Sequence, residues 1–184
     1  MKIITRVAGK VRHLGDHIQS KNGPFREVIL RTQRINIYGQ KITMDHQMAV
    51  PVELLNEDIK VDQFLHTEGY VLDRKAESGQ RRTIIVKRCR PCADRYINQA
   101  WCEGKVMAMT EERHTLRGGK TRLFEIRVND PSTPNLVPIR FWNETWNLSY
   151  GLKKSLNIKL RGRLESIPYK NRWGYEIVVE DLSH

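Results

Sequence analysis

No apolar run in this 184-residue chain approaches the roughly 20 residues that a membrane-spanning helix needs. The start, Met1-Lys2-Ile3-Ile4-Thr5-Arg6, has no apolar signal core before its next charge, so the expected location is the cytoplasm. Cysteine is scarce. The three residues Cys89, Cys92 and Cys102 are too few, and odd in number, for a disulfide scaffold. Cys89 and Cys92 have CxxC spacing, but a structural zinc site takes four ligands, and Cys102, His66 and His114 do not fall at knuckle spacing. Reduced thiols are therefore expected, with no metal and no cofactor; zinc or redox chemistry is the lesser alternative. Catalytic signatures are missing too. There is no Gly-rich phosphate loop, HExxH, GxSxG or DxDxG pattern. The six histidines are scattered among charges, and Glu111-Glu112 falls in an expected loop, so a binding protein is expected rather than an enzyme.

Acidic residues are in deficit: 21 Asp+Glu against 32 Lys+Arg give a net charge of +11 and a pI near 9.8. A surface of that sign attracts polyanions through steering and counterion release. Lipid is disfavoured as the polyanion, because no long amphipathic helix with a basic face is visible. A basic surface that serves solubility alone is the bland alternative. Hydrophobic residues at 39% and charged residues at 29% are the balance of a folded chain.

The sequence repeats itself in order. Gly9-Lys10-Val11 returns as Gly104-Lys105-Val106, and Gly23-x-x-Arg26-x-x-x-x-Arg31 as Gly119-x-x-Arg122-x-x-x-x-Arg127. Val50-Pro51-Val52 returns as Val137-Pro138-Ile139, Gly69-Tyr70-Val71 as Gly162-Arg163-Leu164, and Ile84-Ile85-Val86 as Ile177-Val178-Val179. The offsets, from 87 to 96, differ only by loop-sized insertions. This predicts a duplication with a first domain over 1–88, a linker over 89–100 and a second domain over 101–184. Both halves are basic: 16 Lys+Arg against 10 Asp+Glu in the first (+6), and 16 against 11 in the remainder (+5).

Short alternating, turn-bounded segments predict five strands per half. They lie near 3–14, 25–36, 47–53, 66–73 and 82–88, then near 101–110, 121–129, 135–142, 156–167 and 174–181. A short helix is expected between the third and fourth strands of each half, over Leu54–Gln63 and over Asn143–Lys154 with Asn143 as cap. Five strands with a helix in that place is the OB-fold order. The expected class is all-β with short helices: two tandem OB-fold five-stranded barrels.

The second half carries rings and cations together. Phe141, Trp142, Trp146, Tyr150, Tyr169, Trp173 and Tyr175 interleave with Arg140, Lys153, Lys154, Arg161, Arg163, Lys170 and Arg172. Stacking rings and phosphate-tracking cations are what sequence-tolerant single-strand binding requires. Arg122 and Arg127 lie on its second strand. In the first half Lys10, Arg12, Arg26, Arg31, Arg34, Arg74, Arg81 and Arg82 are candidate phosphate contacts, but rings are few. Trp146, at a helix position, is read as core; Tyr169 and Trp173, in a charged turn, as exposed.

Over about 102–181 the chain resembles the bacterial single-stranded DNA-binding protein family. The resemblance rests on Ile139-Arg140-Phe141, Leu152-Lys153-Lys154-Ser155, Gly162-Arg163-Leu164, the turn Tyr169-Lys170-Asn171-Arg172-Trp173-Gly174, and Glu176-Ile177-Val178-Val179. It implies base stacking by Phe141 and Tyr169 and phosphate contacts near Lys153, Lys154, Arg161 and Arg163. By the offsets above, Leu54 stands in place of Phe141 in the first half, and Ala76 in place of Tyr169. The resemblance further implies single-stranded DNA as partner, and a homodimer in which two chains supply four barrels. The family's acidic tail has no counterpart before His184. An RNA-binding OB protein and a module of a replication-restart, primosomal-type assembly are the alternatives.

Overall fold

A computed structural model describes residues 3–21, 23–36, 38–55, 59–76, 79–114, 118–128, 136–169 and 172–183, with side chains for all of these except 73–76, 79–82, 166–169 and 172–173. The chain divides into two compact units. One takes Ile4–Asn98 and the other Gln99–His184 with the first three residues.

The first unit is built from β1 (Ile4–Ile18), β2 (Phe25–Ile35), β3 (Lys41–Pro51), β4 (Phe64–Ala76) and β5 (Gly79–Pro91). β2 shows why these segments are strands. Val28, Leu30 and Thr32 are buried, and the residues between them are half-exposed, so one face meets the core. β1 pairs antiparallel with both β2 and β4, β2 with β3, and β4 with β5. A short parallel bridge, Met48↔Ile84 and Ala49↔Ile85, joins β3 to β5 and closes a five-stranded barrel. Val7, Val11, Leu30, Met48, Leu65 and Val86 fill it, each contributing about 1.5–3 kcal/mol by full burial.

The second unit contains β6 (Ile97–His114), β7 (Lys120–Val128), β8 (Leu136–Phe141), β9 (Asn157–Tyr169) and β10 (Arg172–Ser183). β6 pairs with β7, β7 with β8, β8 in parallel with β10, and β10 with β9. β9 then pairs back to β6, from Ala100↔Gly162 to Lys105↔Asn157. Ile126, Ile139, Phe141, Ile158, Leu164 and Ile177 are buried inside.

Three expectations change. β5 runs to Pro91 and β6 starts at Ile97, so Cys89 lies within a strand opposite Thr67 and only residues 92–96 separate the strands. The helix expected over Asn143–Lys154 is a single 3₁₀ turn, Trp146–Ser149; of the one expected over Leu54–Gln63, residues 56–58 lie outside the described residues, and a 3₁₀ turn, Val52–Leu54, reaches only its first residue. Neither turn has a side-chain cap: the first starts after Pro51, and at the second Asn143 accepts a bond from the Lys120 N–H instead of closing a helix start. The counterpart of Phe141 is Val50, not Leu54. Arg122 faces Phe141 across β7–β8 just as Arg26 faces Val50 across β2–β3. The matched Val-Pro pairs had suggested an offset of 87, four short of the 91 that the register sets.

Two details recur in both units. A Cβ on Gly69 or on Gly162 would collide with the carbonyl of Ile85 or of Val178, so each strand crossing admits only glycine. Asp62 and Ser155 both adopt a left-handed backbone with φ of 73°. Each donates its N–H to the first strand of its unit, to Val11 O and to Val106 O, both at 2.8 Å. Val11 and Val106 return the bond to Gln63 O and Leu156 O.

Candidate nucleic-acid interface

The 3₁₀ turn Trp146–Ser149 lies against the end of β7, where Arg122 points inward. The Arg122 guanidinium stacks 4.1 Å from the Trp146 ring centroid and 4.7 Å from that of Tyr150. Its Nε donates to Glu112 Oε2 at 2.8 Å and its Nη1 to Ser149 Oγ at 3.2 Å. Trp146 Nε1 donates to the Tyr150 hydroxyl at 2.8 Å, with the two rings edge to face. Trp146 is 7% exposed and Tyr150 is 64% exposed. Tyr150 is thus a rigidly held ring open to solvent, and Arg122 is its support. At 16% exposure and bonded to Glu112, Arg122 is a poor phosphate ligand. Lys120 Nζ sits 5.9 Å from the Trp146 centroid, adding charge beside the ring.

Phe141 requires a correction. It is fully buried and packs edge to face on Phe124 at 5.7 Å. Val137, Ile139 and Phe141 share the inward face of β8, so no face of this ring is open to a base. Trp142, the next residue, is half-buried, and its backbone N–H donates to the Thr145 hydroxyl at 3.3 Å. The side chains of Tyr169, Arg172 and Trp173 lie outside the described residues, as does all of Lys170; the backbone registers Tyr169 against Arg172 across β9–β10.

The expected cations divide into free and held. Lys153, Lys154 and Arg127 are exposed and, among the described residues, have no ion pair. Arg161 lies 3.9 Å from Asp181, with both side chains at least half-exposed, a pair worth about 0–1 kcal/mol. Arg163 is more firmly held, 3.0 Å from Glu165 and 3.5 Å from Glu180. Arg140 bonds Glu176 at 2.8 Å and lies 3.5 Å from Glu111; burial opposes its charge, but these carboxylates outweigh it and raise its pKa. In the first unit Arg26 Nε donates to Gly15 O at 2.7 Å. Arg31 is bidentate to Asp45, both bonds 2.7 Å. That bond raises the Arg31 pKa and holds the Asp45 carboxyl below its usual range.

Tyr150 and Lys105 are two site residues that the sequence does not single out. Lys105 is exposed and registers opposite Arg127. Its signal was the Gly-Lys-Val repeat, which reads as a strand pattern until the hairpin register sets it beside Arg127. Among the described residues no group of three or more His, Cys, Asp or Glu gathers to hold a metal. Burial and neighbouring Cys92 push the Cys89 thiol up to about 11, and burial pushes Cys102 up to about 12. Both are protonated at neutral pH and poor ligands or nucleophiles. No described helix is long and apolar enough to cross a membrane.

The arrangement of strands is shared with solved proteins. The single-stranded DNA-binding protein of Thermus aquaticus superposes with a TM-score of 0.82 at 16% identity, over 98% of this chain and 91% of that one. A deletion variant of the same protein gives 0.83 at 16% identity, over 98% and 93%. The N-terminal domain of PriB from Thermoanaerobacter tencongensis matches 47% of this chain and 93% of its own, at 28% identity and a TM-score of 0.39. The two Thermus aquaticus likenesses show the fold, which is all-β and of OB type. No protein-family model and no curated protein matches the chain in sequence.

Proposed function

We propose that this chain binds single-stranded DNA, without catalysis and largely independently of sequence, in cytoplasmic DNA replication, recombination or repair. The observation that carries the proposal is the Tyr150 ring, exposed, braced by Trp146 and Arg122, and followed three and four residues on by Lys153 and Lys154, exposed and without an ion pair among the described residues. A solvent-facing ring can stack a base while exposed cations on the adjoining loop neutralise its phosphates. Trp142, Tyr169, Lys170, Arg172 and Trp173 extend this surface in the proposal, and Arg161 adds a loosely held charge. The likeness to the Thermus aquaticus protein, which binds single-stranded DNA, supports the same ligand here.

The chain is further proposed to be a tandem duplicate of one OB-type barrel. The paired glycine crossings and the Asp62 and Ser155 clasps support this, because repeated strand order alone does not require such details to recur. Two chains then supply four barrels as a homodimer, and replication proteins are its natural neighbours.

Adding poly-dT should quench the chain's tryptophan fluorescence, and Tyr150→Ala should weaken binding about 5- to 150-fold, the value of one stacked base of ~1–3 kcal/mol. Poly-U and duplex DNA should compete poorly. Stronger competition by poly-U would move the reading to RNA, and no response to any of the three would remove it.

A further inference from the structure

The two units carry a cross-strand cation pair at matched positions but surround it differently. Lys10 registers opposite Arg31 in the first, and Lys105 opposite Arg127 in the second. The β3 residue that faces Arg31 is Asp45, which holds both arms of its guanidinium. The left-handed residue of the first clasp is Asp62, 3.3 Å from Lys10 Nζ and 3.7 Å from Arg12 Nη1. In the second unit the residue facing Arg127 is Leu136, and the clasp residue is Ser155. Both carboxylates are gone. Lys105 and Arg127 are exposed and without ion pairs among the described residues; Glu103 and Glu125, which flank them, form none with either.

The adjoining loops diverge in the same direction. The first reads Lys60-Val61-Asp62 and the second Lys153-Lys154-Ser155. The bond from Ser155 N–H to Val106 O ties the second loop to β6 next to Lys105. The first group has four cations, Lys10, Arg12, Arg31 and Lys60, and its two carboxylates, Asp45 and Asp62, each pair with one or more of them. The second has four cations, Lys105, Arg127, Lys153 and Lys154, and its two flanking carboxylates, Glu103 and Glu125, pair with none of them among the described residues; both groups sum to +2, and they differ in how many cations are held.

Resting on the single-stranded DNA reading above, we infer that Lys105, Arg127, Lys153 and Lys154 form the chain's principal phosphate-binding site, and that Asp45 and Asp62 silence the matched site in the first unit. A phosphate that approaches Arg31 must displace a bidentate carboxylate, whereas one that approaches Arg127 displaces only water. Each phosphate contact on a single strand releases counterions and adds about 0.7 to the slope of log K against log salt.

The test is a salt series of affinities for fluorescein-labelled oligo-dT, using the full chain. Lys105→Gln with Arg127→Gln should flatten the slope by about 1.4 and lower affinity at least about 10-fold at low salt. Lys10→Gln with Arg31→Gln should leave the slope unchanged and affinity within about 2-fold. Leu136→Asp with Ser155→Asp should reproduce the first loss with every cation in place, and Asp45→Leu with Asp62→Ser should steepen the slope and tighten binding. The glutamine pairs change only side chains at the surface, so they decide the matter even where a carboxylate variant folds poorly. Equal losses from the two glutamine pairs, or an unchanged slope in Lys105→Gln with Arg127→Gln, overturn the assignment while the DNA-binding reading stands. Failure of the unaltered chain to bind oligo-dT overturns both.

Discussion

Phe141 and Tyr150 exchange the roles that their surroundings in sequence suggest. Phe141 follows Arg140 at a strand end, where the family resemblance places a stacking ring. Yet Val137, Ile139 and Phe141 alternate with Leu136, Pro138 and Arg140, and that alternation alone already assigns the ring to the core. Tyr150 stands in a polar turn after Trp146, where sequence reading gave it no special weight. Only the fold shows that Arg122, far along the chain, slides beneath it. Phe141→Ala should therefore cost about 3–5 kcal/mol of stability by opening a cavity beside Phe124. Phe141→Leu, which keeps most of the volume, should bind oligo-dT as the unaltered chain does. Thermal unfolding and a binding titration on the two variants check this. A tenfold loss of affinity in Phe141→Leu at an unchanged melting temperature would return the ring to the binding surface.

At the scale of elements the ten strands were legible, because period-two alternation between turn residues is a local signal that tertiary contacts reinforce. The helices were not. A few apolar residues after an Asn suggest a helix, but one turn without a cap closes only as 3₁₀. Register was legible only roughly, because the repeated Val-Pro pairs lie in a strand that tolerates sliding in sequence but not in its ladder. One rung of that ladder hides a titratable group. His46 on β3 is fully buried, with Nε2 3.0 Å from Thr32 Oγ1 on β2. Burial pushes its pKa down to about 4, against the weaker opposing pull of Asp45. The unfolded chain, with an ordinary value of about 6.5, takes up the proton first. The stabilising contribution of neutral His46 is thus complete above about pH 6.5 and is lost as pH falls to about 4, amounting to about 3 kcal/mol. Urea unfolding at stepped pH should show this decline. His46→Gln, which can still bond Thr32, should flatten it across that window; an equally steep decline in the variant would exclude His46 as its source.

For the whole molecule, the net charge of +11 acts in opposite senses on its two proposed associations. A second copy of the chain carries the same charge, so dimer formation works against a repulsion that salt screens within about 10 Å at 0.1 M. Single-stranded DNA carries the opposite charge and releases counterions on binding, so salt weakens that contact. The even division of charge between the halves, +6 and +5, means that neither half as a whole is an acidic partner for the other copy. Light scattering at micromolar concentration should show the dimer fraction rising as salt increases from about 0.02 to about 0.3 M, while affinity for oligo-dT falls over the same interval. At low salt, oligo-dT should itself promote the dimer by neutralising both copies. A mass that stays at one chain in every condition would remove the proposed dimer and leave the single chain as the complete binding unit.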